Sequence, residues 1–94
     1  MKEAVIVKKI RDHLKNKYGA ECFKVHGGPF SEAGVSDLVC SLPPGRALFI
    51  EVKVPGKLST VTRLQTEFLN RMARTGAITG VATSVEDVDK LLGA

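Results

Sequence analysis

The sequence predicts a small α/β domain in which a mixed β-sheet of about four strands is flanked by helices. Three observations carry this. Hydrophobic periodicity switches between helical and strand-like along the chain, giving the order helix, three strands, helix, strand, helix. The second and third strands are joined by the short turn Pro43-Pro44-Gly45-Arg46, which predicts an antiparallel hairpin. A helix separates the third strand from the fourth, which predicts a crossover back onto the same sheet. Ninety-four residues suffice for one domain, 1–94, with a single core.

Lys2 to about Lys17 reads as the first helix, because Val7, Ile10 and Leu14 recur at helical spacing while Lys8, Lys9, Arg11 and Lys15 fall largely off that stripe. Tyr18-Gly19 ends it. Glu3 stands four residues before Val7 and so shares the apolar stripe; the alternative is an ordinary first-turn acid facing the helix dipole. Ala20 to Val25 reads as a strand, residues 27–34 as a Gly- and Pro-rich surface loop, and Val35 to Leu42 as a second strand. Ala47 onwards is the most apolar strand, stopped by Pro55-Gly56.

Beyond the break, Ser59 is the expected N-cap of a helix from about Thr60 to Arg74, with Gly76 at its C-terminal end. Its stripe is Val61, Leu64, Phe68, Leu69 and Met72, and Gln65 falls in the middle of it. A polar side chain facing a core needs partners there, unless it sits at the stripe edge and caps a stray backbone group. Ala77 to Thr83 reads as the last strand, and Ser84 with Asp87 resembles a capping box opening a helix from Val85 to Leu92.

Composition bounds the function. With 44% hydrophobic and 26% charged residues, the chain has the make-up of a soluble globular domain, and no stretch approaches a membrane span. The first residues lack the apolar run of a signal peptide, so a cytoplasmic protein is expected. In that reducing compartment Cys22 and Cys40 are expected to pack as small hydrophobes, with a disulfide as the minor alternative, and they lack ligand spacing with His13 and His26 for a zinc site. The net charge of +4 favours a polyanionic partner such as nucleic acid. One Tyr, no Trp and four Phe argue against a base-stacking platform.

The chemistry concentrates on the central strand. Glu51 and Lys53 stand two apart and therefore share one face of an otherwise apolar strand, where charges are costly unless they act together. Glu-x-Lys alone is a common pair. Asp37 opens the partner strand of the hairpin while Glu51 is late in its own, so antiparallel pairing brings both carboxylates to one end of the sheet. With Glu3 and Gln65, four elements each place polar groups where apolar ones belong. Converging carboxylates form a hard-oxygen site suited to Mg²⁺ or Mn²⁺.

In order along the chain, Glu3, Gly34-Val35-Ser36-Asp37, Glu51-Val52-Lys53, Gln65 and the closing segment Ala82 to Leu92 resemble the VRR-NUC domain, a branch of the PD-(D/E)xK nuclease superfamily. The resemblance covers nearly the whole chain and implies a restriction-endonuclease-like αβββαβ core. The family usually has Pro before the aspartate; Ser36 here puts local stiffness in question and leaves the acid in place. The resemblance implies a metal-dependent phosphodiesterase in which Asp37, Glu51 and the backbone carbonyl of Val52 bind the metal. Lys53 would orient the attacking water and offset charge on the phosphate. Glu3 would hold a metal-bound water or a second ion, and Gln65 would fix Lys53 or the water.

The remaining basic residues carry weaker signals. His26, beside the Gly27-Gly28 loop, is either a DNA contact or proton shuttle or a structural histidine. Lys57 and Arg63 flank the central strand and are candidate phosphate contacts. Lys8, Lys9, Arg11 and Lys15 read as a solvated helix face, with non-specific DNA contact as the alternative. Small stand-alone members of the resembled family are similar to Holliday-junction resolvases, which implies branched DNA as the partner and a homodimer supplying two symmetric cuts. Cleavage of flaps, other branched DNA or RNA, and a non-catalytic basic module that binds nucleic acid, are the competing readings.

Overall fold

The computed structural model describes residues 1–29 and 31–94; residue 30, in the expected 27–34 loop, lies outside them. Helix α1 (Glu3–Tyr18) buries Ile6, Val7, Ile10 and Leu14, a stripe at spacings of three and four, and ends at Gly19 in the left-handed conformation (φ 70°). Strands β1 (Glu21–Lys24), β2 (Leu38–Leu42) and β3 (Arg46–Val52) form an antiparallel meander. Helix α2 (Arg63–Arg74) then crosses over to β4 (Ile78–Ala82), which pairs parallel to β3, and α3 (Val85–Leu91) closes the chain. The sheet is mixed, four-stranded and ordered β1-β2-β3-β4. Among the described residues no helix is long and apolar enough to cross a membrane.

Alternation along the strands sorts the two faces. Leu38, Cys40 and Leu42 of β2 and Leu48, Ile50 and Val52 of β3 join the buried stripe of α1 and Val88 of α3 in one core. The opposite face meets α2, where Phe49 packs edge-on against Phe68 with ring centroids 5.5 Å apart. Glu51 and Lys53 follow Phe49 at two-residue steps, which turns them towards α2.

Several boundaries differ from expectation, each for a local reason. Leu58–Thr60 forms a 3₁₀ turn, so Ser59 is not a cap; Thr62 is. Thr62 Oγ1 accepts from the Gln65 N–H (3.1 Å) while Gln65 Oε1 accepts from the Thr62 N–H (2.9 Å), a full capping box that Ser59 has no Gln or Glu three residues on to complete. Starting later, α2 buries Phe68 and Leu69 but leaves Leu64 47% exposed. Ser84 caps α3 by accepting from the Asp87 N–H, whereas Asp87 accepts from Thr83 rather than closing the box on Ser84. Cys22 and Cys40 are direct cross-strand partners of β1 and β2 and are joined as a disulfide, correcting their reading as separate small hydrophobes.

At the end of the molecule away from Glu3, Asp89 of α3 gathers three groups of α1. It accepts from the Tyr18 hydroxyl, lies 2.8 Å from His13 Nε2 and pairs with Lys17 at 3.3 Å. These contacts hold its carboxyl down at about 2.

Candidate metal and catalytic site

Asp37 precedes β2 by one residue, held there by Val25 N–H donating to its carbonyl (2.8 Å) and by Ser36. Ser36 is buried, and its hydroxyl donates to the Leu38 carbonyl at 3.0 Å. A hydrogen bond therefore constrains the lead-in to β2 where the resembled pattern has proline. Just upstream, Gly34 has φ +84° and lies so close to α2 that an added Cβ would stand 2.5 Å from the Leu64 carbonyl oxygen.

Each oxygen of the Asp37 carboxylate accepts one hydrogen bond. Oδ2 accepts from the Val52 N–H at 2.7 Å, and Oδ1 accepts from Lys24 Nζ at 3.0 Å. Val52, whose carbonyl the resemblance offers as a ligand, donates its N–H to this acid.

Glu51 is 2% exposed. Gln65 Nε2 donates to its Oε2 at 3.0 Å, and Lys53 Nζ lies 3.5 Å from the same oxygen. Gln65 thus holds Glu51, not Lys53, and does so while its own Oε1 caps α2. Glu51 Oε1 is buried without a hydrogen-bond partner among the described residues. Burial, reinforced by the neighbouring Asp37 and only partly offset by Lys53, pushes the Glu51 carboxyl from 4.5 up to about 7. A buried carboxylate oxygen left without a partner calls for one, and a bound cation would supply it.

Glu3 brings the third acid. Although exposed, it offers an oxygen that lies, with one from Asp37 and one from Glu51, within a mutual distance of 4.8 Å. Three carboxylates and an unpartnered buried oxygen match the hard-oxygen donor set of Mg²⁺ or Mn²⁺, so the residues fit a divalent cation. Asp37, Glu51 and Gln65 open into a cleft of about 580 Å³ whose other wall includes Gly27, Gly28 and residues 31–34.

The structure brings together Glu3, Asp37, Glu51, Lys53 and Gln65. It does not bring in Lys57 or Arg63: both are exposed, Arg63 pairs with Glu67 at 3.3 Å, and neither lines the cleft. Lys9 is exposed on α1. Lys8 pairs with Asp12 at 2.7 Å, and it shares with His26 a second groove between α1 and β1. Sequence reasoning missed Lys24, which lines the site and salts Asp37. A signal existed: Lys24 is two residues from Cys22 on a strand and therefore shares its inner face.

The sequence pattern of the VRR-NUC domain matches residues 2–86. A solved structure described as a VRR_NUC domain is similar over 97% of this chain and 94% of its own, with a TM-score of 0.76 and 26% identity. No curated protein matches the chain.

Proposed function

The chain belongs to the VRR-NUC family, a nuclease-type domain, and from that premise we propose that it is a Mg²⁺- or Mn²⁺-dependent endonuclease of branched DNA. The observation that carries the metal dependence is Glu51 Oε1, buried and unpartnered beside two other carboxylates. Asp37 and Glu51 would hold the ion, with the Val52 carbonyl and Glu3 as further ligands. When bound, it supplies Lewis-acid stabilisation of the phosphate and makes a water acidic enough to attack at neutral pH.

The chain's own residues do the remaining work. Lys53, 15% exposed and held beside Glu51, orients the attacking water and offsets charge developing on the scissile phosphate. Gln65 fixes Glu51 and leaves it one oxygen to present. Val52 and Lys24 fix Asp37 through one oxygen each, and each oxygen keeps a lone pair to present. Water attacks phosphorus and releases a proton to solvent, the bond from phosphorus to the leaving oxygen breaks, and that oxygen takes a proton from solvent, so the proton count is unchanged.

A four-way junction is the substrate this reading favours. Its resolution needs two symmetric cuts, and each chain carries one cluster of this kind among its described residues. A closed two-fold homodimer supplies the second. Phe23, 60% exposed on the edge strand β1, is apolar surface that pairing can cover.

Purified protein incubated with four-way junctions, flaps, nicked duplex, single strands and RNA, in Mg²⁺, Mn²⁺ or EDTA, tests the proposal. The expected result is paired nicks across the junction, seen only with metal, from a dimer by light scattering. A monomer that cuts flaps or RNA and leaves junctions intact overturns the junction reading. Binding without cleavage in any metal overturns the enzymatic one.

A further inference from the structure

The second groove, about 630 Å³ between α1 and the outer edge of β1, is lined by Lys8, Arg11 and Lys15 from the helix and by Lys24 and His26 from the sheet side. The three helix residues recur at steps of three and four, so they form one row. Four cations there face two carboxylates, Asp12 and Glu21. Asp12 is taken up by Lys8 in an exposed pair, the kind of contact that a phosphate readily replaces. Arg11 is spent on structure, donating to the Cys22 carbonyl at 2.9 Å.

Lys24 lines this groove and the metal cleft alike, with its Nζ on Asp37. From Lys8 to Lys15 the helix rises about 10 Å. That matches roughly three nucleotides of one strand at about 3.4 Å each.

We infer that this groove carries the sugar–phosphate backbone of one DNA strand into the cleft, with Lys8 and Lys15 as phosphate contacts and Lys24 as the point where the strand passes to Asp37. The inference rests on the nuclease reading. Among the described residues that line the groove there is no Phe, Tyr or Trp and His26 is the single ring, so contact is chiefly to backbone and independent of sequence.

Binding measured in EDTA separates this contact from cleavage. A fluorescein-labelled 12-nucleotide oligothymidine is titrated by anisotropy from 50 to 200 mM salt against wild type, Lys8→Gln/Lys15→Gln, and the control Arg74→Gln/Lys90→Gln. The control removes the same charge from exposed positions elsewhere. Loss of two single-strand phosphate contacts lowers the slope of log affinity against log salt by about 1.4, or about 25-fold in affinity at 0.1 M. The expected result is that loss in the groove variant and little change in the control. Equal losses in both, no loss in either, or no binding by wild type overturns the inference. Cleavage by wild type in Mg²⁺ is scored separately, so a failed groove leaves the nuclease reading standing, and a failed nuclease is seen as such.

Discussion

Replacing Glu51 by Gln separates the cost of its charge from the shape of its side chain. The carboxyl titrates near 7 in the metal-free fold and near 4.5 when free, because burial and Asp37 oppose its ionisation. A raised acid pKa means the folded chain keeps a proton that the unfolded chain has released. Its contribution to stability is therefore fully present below pH 4.5 and is lost as pH climbs through 7. Linkage over that window amounts to about 2.5 kcal/mol between pH 5 and pH 8. Gln abolishes the titration and keeps an oxygen for Gln65 Nε2. Urea denaturation followed by circular dichroism in EDTA at pH 5, 6, 7 and 8 should show the variant gaining on wild type by about that amount. The readout is a difference in slope, so a fixed cost from the lost Lys53 contact does not enter it. Added Mg²⁺ should raise the wild-type midpoint and leave the variant's almost unmoved. A pH-independent difference between the two proteins, or equal stabilisation by Mg²⁺, refutes the reasoning.

Three further outcomes follow from the same geometry. Asp37→Ala, Glu51→Ala and Lys53→Ala should each abolish cleavage with the fold intact, while Lys53→Ala still binds DNA and the acid variants bind as well or better; full activity in EDTA, or in all three, sinks the site. Gln65→Ala should lower turnover about 10 to 100-fold, more than it weakens substrate binding. Gln65→Glu, which keeps the oxygen that caps α2 but sets a second carboxylate against Glu51, should keep its helix content and lose turnover. Unchanged turnover at saturating substrate in both reduces Gln65 to a cap. Gly34→Ala should cost more than about 1 kcal/mol by thermal melting, because its Cβ meets the Leu64 backbone and pushes the first turn of α2, with Gln65, off the cleft. An unchanged melting temperature rules that out.

Much of the site was legible because its residues violate the rules of their own elements. Glu51 in a buried strand, Asp37 at the other arm of a hairpin and Gln65 inside a helical stripe all announce a polar need before any coordinates. What was not legible depended on register and on competing caps. Ser59 and Thr62 are both acceptable caps, and only the Gln three residues after Thr62 decides between them. Lys24 sits on a four-residue strand whose pairing is set across a long loop, so nothing local says it will meet Asp37. The same ambiguity hid the pairing of Cys22 with Cys40, since a slip of one residue would have turned them to opposite faces. Helical periodicity gives Gln65 a direction and not which of two neighbours two residues apart it meets, and here the direct partner is Glu51 rather than Lys53.

The clasp around Asp89 makes α1 a lever. It pins the helix near Tyr18, and Glu3 stands at the opposite end about 23 Å away at 1.5 Å per residue. A ligand position is tolerant to about 0.5 Å, so at that radius a tilt of little more than about one degree carries Glu3 out of register with Asp37 and Glu51. The buried stripe of Ile6, Val7, Ile10 and Leu14 is thus the bearing that sets the arm's angle. Repacking it at any point should detune the distant acid long before it unfolds the domain.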